Sequence, residues 1–268
     1  MSDRFQITSS PSASPSPAPL RPRDARAHAS PLSAHPFGVE SLEDWFQEAP
    51  FVPARLSRLY LVAEFIVLFV GLPVLLYTQR HSLDGLVVPT LLVLAGGCTW
   101  VLWKDRRFNR RQLWNRQAFR QHVARMLRWF VPGGALVAVG VAWLRPDLLM
   151  TFPQTYPKAW LLLMVTYPIL SVYPQEIIFR AFLFHRYDAL FPSTASKIAA
   201  SSVAFGLAHI IFANWVAPIM TALGGVHFGR TYAKTGSTLQ VTLEHGLWGW
   251  LAFTIGLGWY VYSGAIGL

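Results

Sequence analysis

The chain has 268 residues, 53% of them hydrophobic and only 13% charged, with a mean hydropathy of +0.36; an ordinary soluble domain carries about a quarter charged residues, so this is a membrane protein. Its net charge of +10 does not point to nucleic acid, because the basic residues fall between apolar segments instead of forming one stripe, a pattern that orients a multi-span protein. The single cysteine, Cys98, lies in an apolar stretch, which excludes a disulfide framework or a thiolate metal cluster within one chain.

The first residues lack the apolar region of a secretory signal, and "SSPSASPSPAPLRPRDARAHASP" has too few bulky apolar groups to pack. Residues 1–45 read as a disordered Ser/Pro/Ala/Arg-rich cytoplasmic tail. An organellar transit peptide is the alternative, against which stand the prolines that would interrupt its amphipathic helix.

A hydrocarbon core about 30 Å thick needs about 20 mostly apolar residues per helix. On that basis we count seven spans in an all-α, polytopic membrane helix bundle: 59–78, 83–103, 129–144, 159–179, 196–212, 216–232 and 239–262. Residues 46–157 hold the first three, and 158–268 the last four. Between the second and third lies "KDRRFNRRQLWNRQAFRQHVARMLR" (104–128), where Arg alternates with Phe108, Leu113, Trp114 and Phe119 as in a basic amphipathic segment at an anionic surface. Placing it in the cytoplasm puts Arg55, Arg58, Arg186, Lys197, Arg230 and Lys234 on the same side, and leaves only Arg80, Arg145 and Lys158 opposite. The N-terminus is then cytoplasmic. Trp and Tyr near span ends, Trp100, Trp103, Trp129, Trp259 and Tyr262 among them, read as aromatic belts.

Within the fourth span, "SVYPQEIIFRAFLFHRY" carries Gln175, Glu176 and Arg180. Glu176 and Arg180 are four apart and share a helix face, so they can pair; Pro168 and Pro174 each remove a backbone donor, which predicts a kink just before Gln175. The fifth span sets Phe205 and His209 four apart on one face beside Gly206 and Ala208, small enough for another helix to approach closely. The last holds Glu244, His245 and Gly249, with Glu244 about 100° around the helix from His245. An ion pair that only pins helices together is the plain reading of any one of these. Ionisable groups on three spans are instead what proton transfer or ligand binding needs. His227 and His185 read as structural or interfacial.

The ordered set Gln175-Glu176-x-x-x-Arg180, Phe205-x-x-x-His209 and His245 resembles the CAAX protease and bacteriocin-processing (CPBP) family of intramembrane proteases. That family's pattern is Glu-Glu-x-x-x-Arg, then Phe-x-x-x-His, then a His followed four residues later by Asn or another polar residue. The chain departs at two positions: Gln175 stands for the first Glu, and Gly249 for the polar partner of the last His. The resemblance implies an endopeptidase acting on a membrane-associated or lipid-anchored peptide or protein, with membrane lipid as its surroundings and no nucleic-acid partner. It implies a catalytic core over 158–268, with catalytic residues Glu176, His209, His245, Arg180 and Gln175, and Glu244 and Phe205 as secondary candidates.

Neutral Gln175 cannot take a proton from water. The candidate bases are then Glu176 and Glu244, of which Glu176, in the motif itself, is preferred, with His209 holding the water, His245 polarising the scissile carbonyl or its oxyanion, and Gln175 orienting peptide or water. Glu176, His209 and His245 also supply the His₂Glu ligand type of some zinc hydrolases, so a divalent metal such as zinc stands as the alternative cofactor. Competing readings are a non-catalytic membrane scaffold or peptide-binding protein, a proton-coupled transporter, or a b-haem protein with His209 and His245 as axial ligands.

Overall fold

The computed structural model describes residues 54–82 and 85–261. The tail over 1–45, Leu83, Tyr262 and the side chain of Arg55 lie outside the described residues.

Every regular element among the described residues is helical. In chain order they are α1 (Ser57–Thr78), α2 (Val87–Lys104), α3 (Arg116–Leu144), the short α4 (Thr151–Thr155), α5 (Pro157–Arg186), α6 (Thr194–Ala208), α7 (Val216–Thr235) and α8 (Thr238–Ile255). Among the described residues, five helical runs are long and apolar enough to cross a membrane: α1, α2, Arg110–Leu144 around α3, α5, and Thr194–Phe212, which adds a 3₁₀ turn to α6. The chain is thus a multi-pass membrane protein. The sixth and seventh expected spans do form helices, but α7 and α8 are not in that set. His227, Arg230 and Lys234 reduce the hydropathy of α7; Gln240, Glu244 and His245 reduce that of α8, which packs against α3, α5 and α7.

Three boundaries differ from the sequence expectation. α3 begins at Arg116, inside the basic segment, because the Asn115 Oδ1 accepts from the Ala118 N–H at 3.0 Å and caps the helix there. The expected kink in α5 takes the form of two wider π turns, Pro168–Val172 and Ile177–Phe182, on either side of Glu176. α8 stops at Ile255, since Gly256 has φ +97° and a Cβ there would lie 2.3 Å from the Leu148 carbonyl oxygen.

The core is centred on α5. Residues 176–183 are all buried, enclosed by Phe69 of α1, Cys98 and Leu102 of α2, Phe205 of α6, Phe228 of α7 and Val241 of α8. Other helices turn large apolar side chains outward, such as Val93, Leu136 and Trp143; in a bilayer these meet acyl chains, whereas in water they would form an oversized apolar patch. α6 and α7 approach through Gly206 and Gly225. A Cβ at Gly225 would lie 2.8 Å from the Ser202 Cα, so the two backbones are nearly in contact. A Ser193/Ser196 capping box starts α6, and Ser237 caps α8.

Beneath the site, α1 and α5 are joined by Arg186, whose Nε and Nη2 donate to the two Glu64 carboxylate oxygens at 2.9 and 2.8 Å, while the Tyr187 hydroxyl donates to Glu64 Oε1 at 3.0 Å. This fork fixes the height of the motif helix.

Candidate active site

α5, α6, α7 and α8 enclose a cavity of about 760 Å³. Its walls include Tyr167, Ser171 and Gln175 of α5, Phe205 of α6, His209 in the 3₁₀ turn, His227 and Phe228 of α7, and His245, Trp248 and Gly249 of α8. The remaining lining is mostly apolar, with Phe212, Ile219, Leu223, Leu251 and Phe253 among it. No carboxylate is among the lining residues.

Glu176 and Arg180 sit behind this wall, both fully buried. Glu176 Oε1 accepts from the Nδ1–H of His245 at 2.7 Å, and Oε2 lies 3.1 Å from Arg180 Nε as an ion pair without hydrogen-bond alignment. The expected i,i+4 pairing is therefore present, and it is extended to a third residue on α8. The Arg180 guanidinium also lies over the Phe205 ring at 4.5 Å and the Phe228 ring at 5.5 Å. Ring faces are negative, so the cation is balanced by one carboxylate and two quadrupoles.

Two aromatic rings hold His245 in place. Phe228 stacks on it with ring centroids 4.6 Å apart and planes at 18°, and Phe205 meets it edge-on at 5.5 Å. Because Nδ1 serves Glu176, the imidazole's other nitrogen, Nε2, carries the lone pair and lies 3.3 Å from the Tyr167 hydroxyl. His209 is set by similar logic. Its Nδ1–H donates to the Phe205 carbonyl at 2.7 Å, which leaves Nε2 as an acceptor. Two imidazoles thus reach one cavity with their acceptor nitrogens uncommitted to protein carbonyls or carboxylates.

Gln175 donates through Nε2 to Ser171 Oγ at 2.7 Å, and its buried Oε1 has no partner, so the amide carbonyl is free to accept. Glu244 points away from Glu176: its Oε1 meets His227 Nε2 at 3.0 Å, a second His–carboxylate pair on the same cavity. The sequence reading set His227 aside. The one available signal was the 100° offset that turns Glu244 toward a neighbour other than α5. Tyr167 also escaped notice, since its place beside His245 depends on how α5 and α8 cross. A Cβ at Gly249 would lie 2.3 Å from the Tyr167 Cε1 and 2.5 Å from its hydroxyl oxygen; the glycine is what lets the phenol in.

The zinc alternative draws on Glu176, His209 and His245. Glu176 is occupied by His245 and Arg180, whereas His209 gives Nδ1–H to a carbonyl and keeps Nε2 open. Among the described residues no three His, Cys, Asp or Glu side chains are grouped to hold a metal ion.

No curated protein and no solved structure matches the chain. Residues 157–251, which supply α5 to α8 and with them the buried pair, the histidines and Tyr167, match the family model described as type II CAAX prenyl endopeptidase Rce1-like. The segment that supplies most of the cavity's walls is thus similar to the Rce1-like CAAX protease family.

Proposed function

We propose that the protein is a membrane endopeptidase that hydrolyses a peptide bond of a membrane-associated or lipid-anchored protein or peptide inside the α5–α8 cavity. The observation that carries this reading is the Glu176–His245 contact of 2.7 Å, with the opposite imidazole nitrogen turned to a cavity shared with His209. A carboxylate that accepts from Nδ1–H fixes the tautomer and stabilises the imidazolium that forms when Nε2 takes a proton. His245 is then the general base and Glu176 its positioning partner. This moves the basic role from Glu176, which faces no cavity, to the imidazole that does.

His209 accepts the second hydrogen of the attacking water, and Gln175 Oε1 accepts the N–H of the peptide. Arg180 keeps Glu176 in place. The apolar lining holds the substrate's hydrophobic portion. The basic loops support a cytoplasmic N-terminus, and the excess of Arg over Lys fits a GC-rich genome and a bacterial inner membrane.

A second reading, a peptide-binding scaffold without catalysis, is favoured by one observation: no carboxylate lines the cavity. Profiling of peptide termini in membranes from cells expressing wild type, Glu176→Gln or His209→Ala at matched abundance separates the two. Termini found only with wild type support the peptidase; three identical profiles from folded proteins favour the scaffold.

A further inference from the structure

Hydrolysis by His245 and His209 leaves one charge without a partner. Attack by water on a peptide carbonyl places a negative charge on the carbonyl oxygen, and both histidines present acceptors to the water. A donor is still needed, since an aligned donor at the oxyanion is often the largest single catalytic contribution. Three hydroxyls line the cavity. Thr221 spends its O–H on the Ala217 carbonyl at 2.8 Å, and Ser171, which accepts from Gln175 and keeps its own O–H, is tied to that amide and not to His245. The third is Tyr167, whose hydroxyl lies against His245 Nε2.

We propose that Tyr167 is the oxyanion donor of this peptidase, inserted from α5 into the space that Gly249 leaves open on α8. The inference rests on the peptidase reading above. Gly249 follows His245 by four residues and shares its helix face. Any larger residue there would meet the Tyr167 ring, 2.3 Å from a Cβ. Tyr167 is also packed edge-on against Phe253, with ring centroids 5.3 Å apart, so its hydroxyl is aimed and not free to wander.

The chemistry couples the two residues. At rest the phenol O–H donates to His245 Nε2; when peptide and water enter, the water takes its place at the single Nε2 lone pair and the hydroxyl turns to the carbonyl oxygen. When water attacks, an O–H bond of the water breaks, its proton goes to Nε2, and the new C–O bond forms while the carbonyl π electrons move to oxygen. Nε2 is then itself a donor and cannot take the Tyr167 O–H back, so the hydroxyl stays on the oxyanion. Collapse re-forms the carbonyl, breaks the C–N bond and passes the imidazolium proton to the leaving amine. Tyr167 keeps its proton throughout, and the sum is one peptide bond plus one water.

The test uses full-length protein in lipid nanodiscs and an internally quenched library of apolar peptides, with constants measured on the best-cleaved member. Tyr167→Phe keeps the ring against Gly249 and Phe253 and removes only the hydroxyl. It is expected to lower kcat by about 10²–10³-fold with little change in KM. The ¹⁵N signal of His245 Nε2, assigned by its loss in His245→Gln, should shift in the same variant. Tyr167→Ala combined with Gly249→Asn, which returns an N–H donor from α8, should recover part of the rate lost in Tyr167→Ala. An active wild type whose Tyr167→Phe variant retains kcat overturns this inference alone. A folded wild type that cleaves no library member, and yields no termini in membranes, removes the peptidase reading and the donor role together.

Discussion

Replacing Glu176 by Gln is nearly isosteric, yet the site cannot accommodate the amide in either orientation. Glu176 uses one oxygen for His245 Nδ1–H at 2.7 Å and sets the other 3.1 Å from Arg180 Nε. If the amide oxygen serves His245, the NH₂ group faces a guanidinium that can only donate. If the oxygen serves Arg180, the NH₂ faces Nδ1 and forces the other tautomer, with Nε2 protonated and no longer a base. In both cases Arg180, fully buried, loses its anion, and breaking a buried pair this way costs about 3–5 kcal/mol. The second orientation also repeats the tautomer error that costs a Ser-His-Asp protease about 10⁴ in kcat.

Unfolding in detergent would measure the first quantity, and peptide cleavage in nanodiscs the second. Glu176→Gln with Arg180→Met separates them, because removing both charges is far less costly than removing one. Stability should return while cleavage does not. A Glu176→Gln protein within about 1 kcal/mol of wild type would refute the claim that the pair is buried as described, the exposed-pair range being about 0–1 kcal/mol.

Gly225→Ala places a Cβ 2.8 Å from the Ser202 Cα, and should lower the unfolding free energy by about 1–3 kcal/mol through separation of α6 and α7. His227→Phe leaves the buried Glu244 carboxylate without its hydrogen bond; a stability loss of about 1–3 kcal/mol is expected at neutral pH, with a smaller loss for Glu244→Gln. At the end of α2, the backbone N–H of Arg107 and the His185 ring hold the Asp105 carboxyl below its ordinary range. Its contribution is thus present above about pH 4 and fades as pH falls through the depressed value. Thermal unfolding of Asp105→Asn against wild type should show a deficit at neutral pH that closes in acid.

Composition and hydropathy were sufficient for the membrane bundle, because burial in lipid demands long apolar helices whatever their arrangement. The Glu176–Arg180 pair was legible for a similar reason: residues four apart on a helix meet regardless of tertiary context. So was the ordered motif set, which lies within the stretch 157–251 that matches the Rce1-like family model. Boundaries were less legible. Asn115 capping α3, Ser237 capping α8 and Gly256 ending it are local signals, but the sequence reading followed hydropathy across them.

What the sequence could not determine was which helix faces which. Glu176 and His245 are 69 positions apart, and only the packing of α8 on α5 makes the carboxylate a partner of the imidazole instead of a cavity-facing base. The packing of α8 on α7 pairs Glu244 with His227, and that of α8 on α5 sets the Tyr167 phenol over Gly249. Hydrophobic periodicity says that a helix face is buried, but not against what. In lipid, where helix association depends on close packing and hydrogen bonds more than on hydrophobicity, partner choice rests on shapes such as the Gly225–Ser202 approach that exist only once the helices have met.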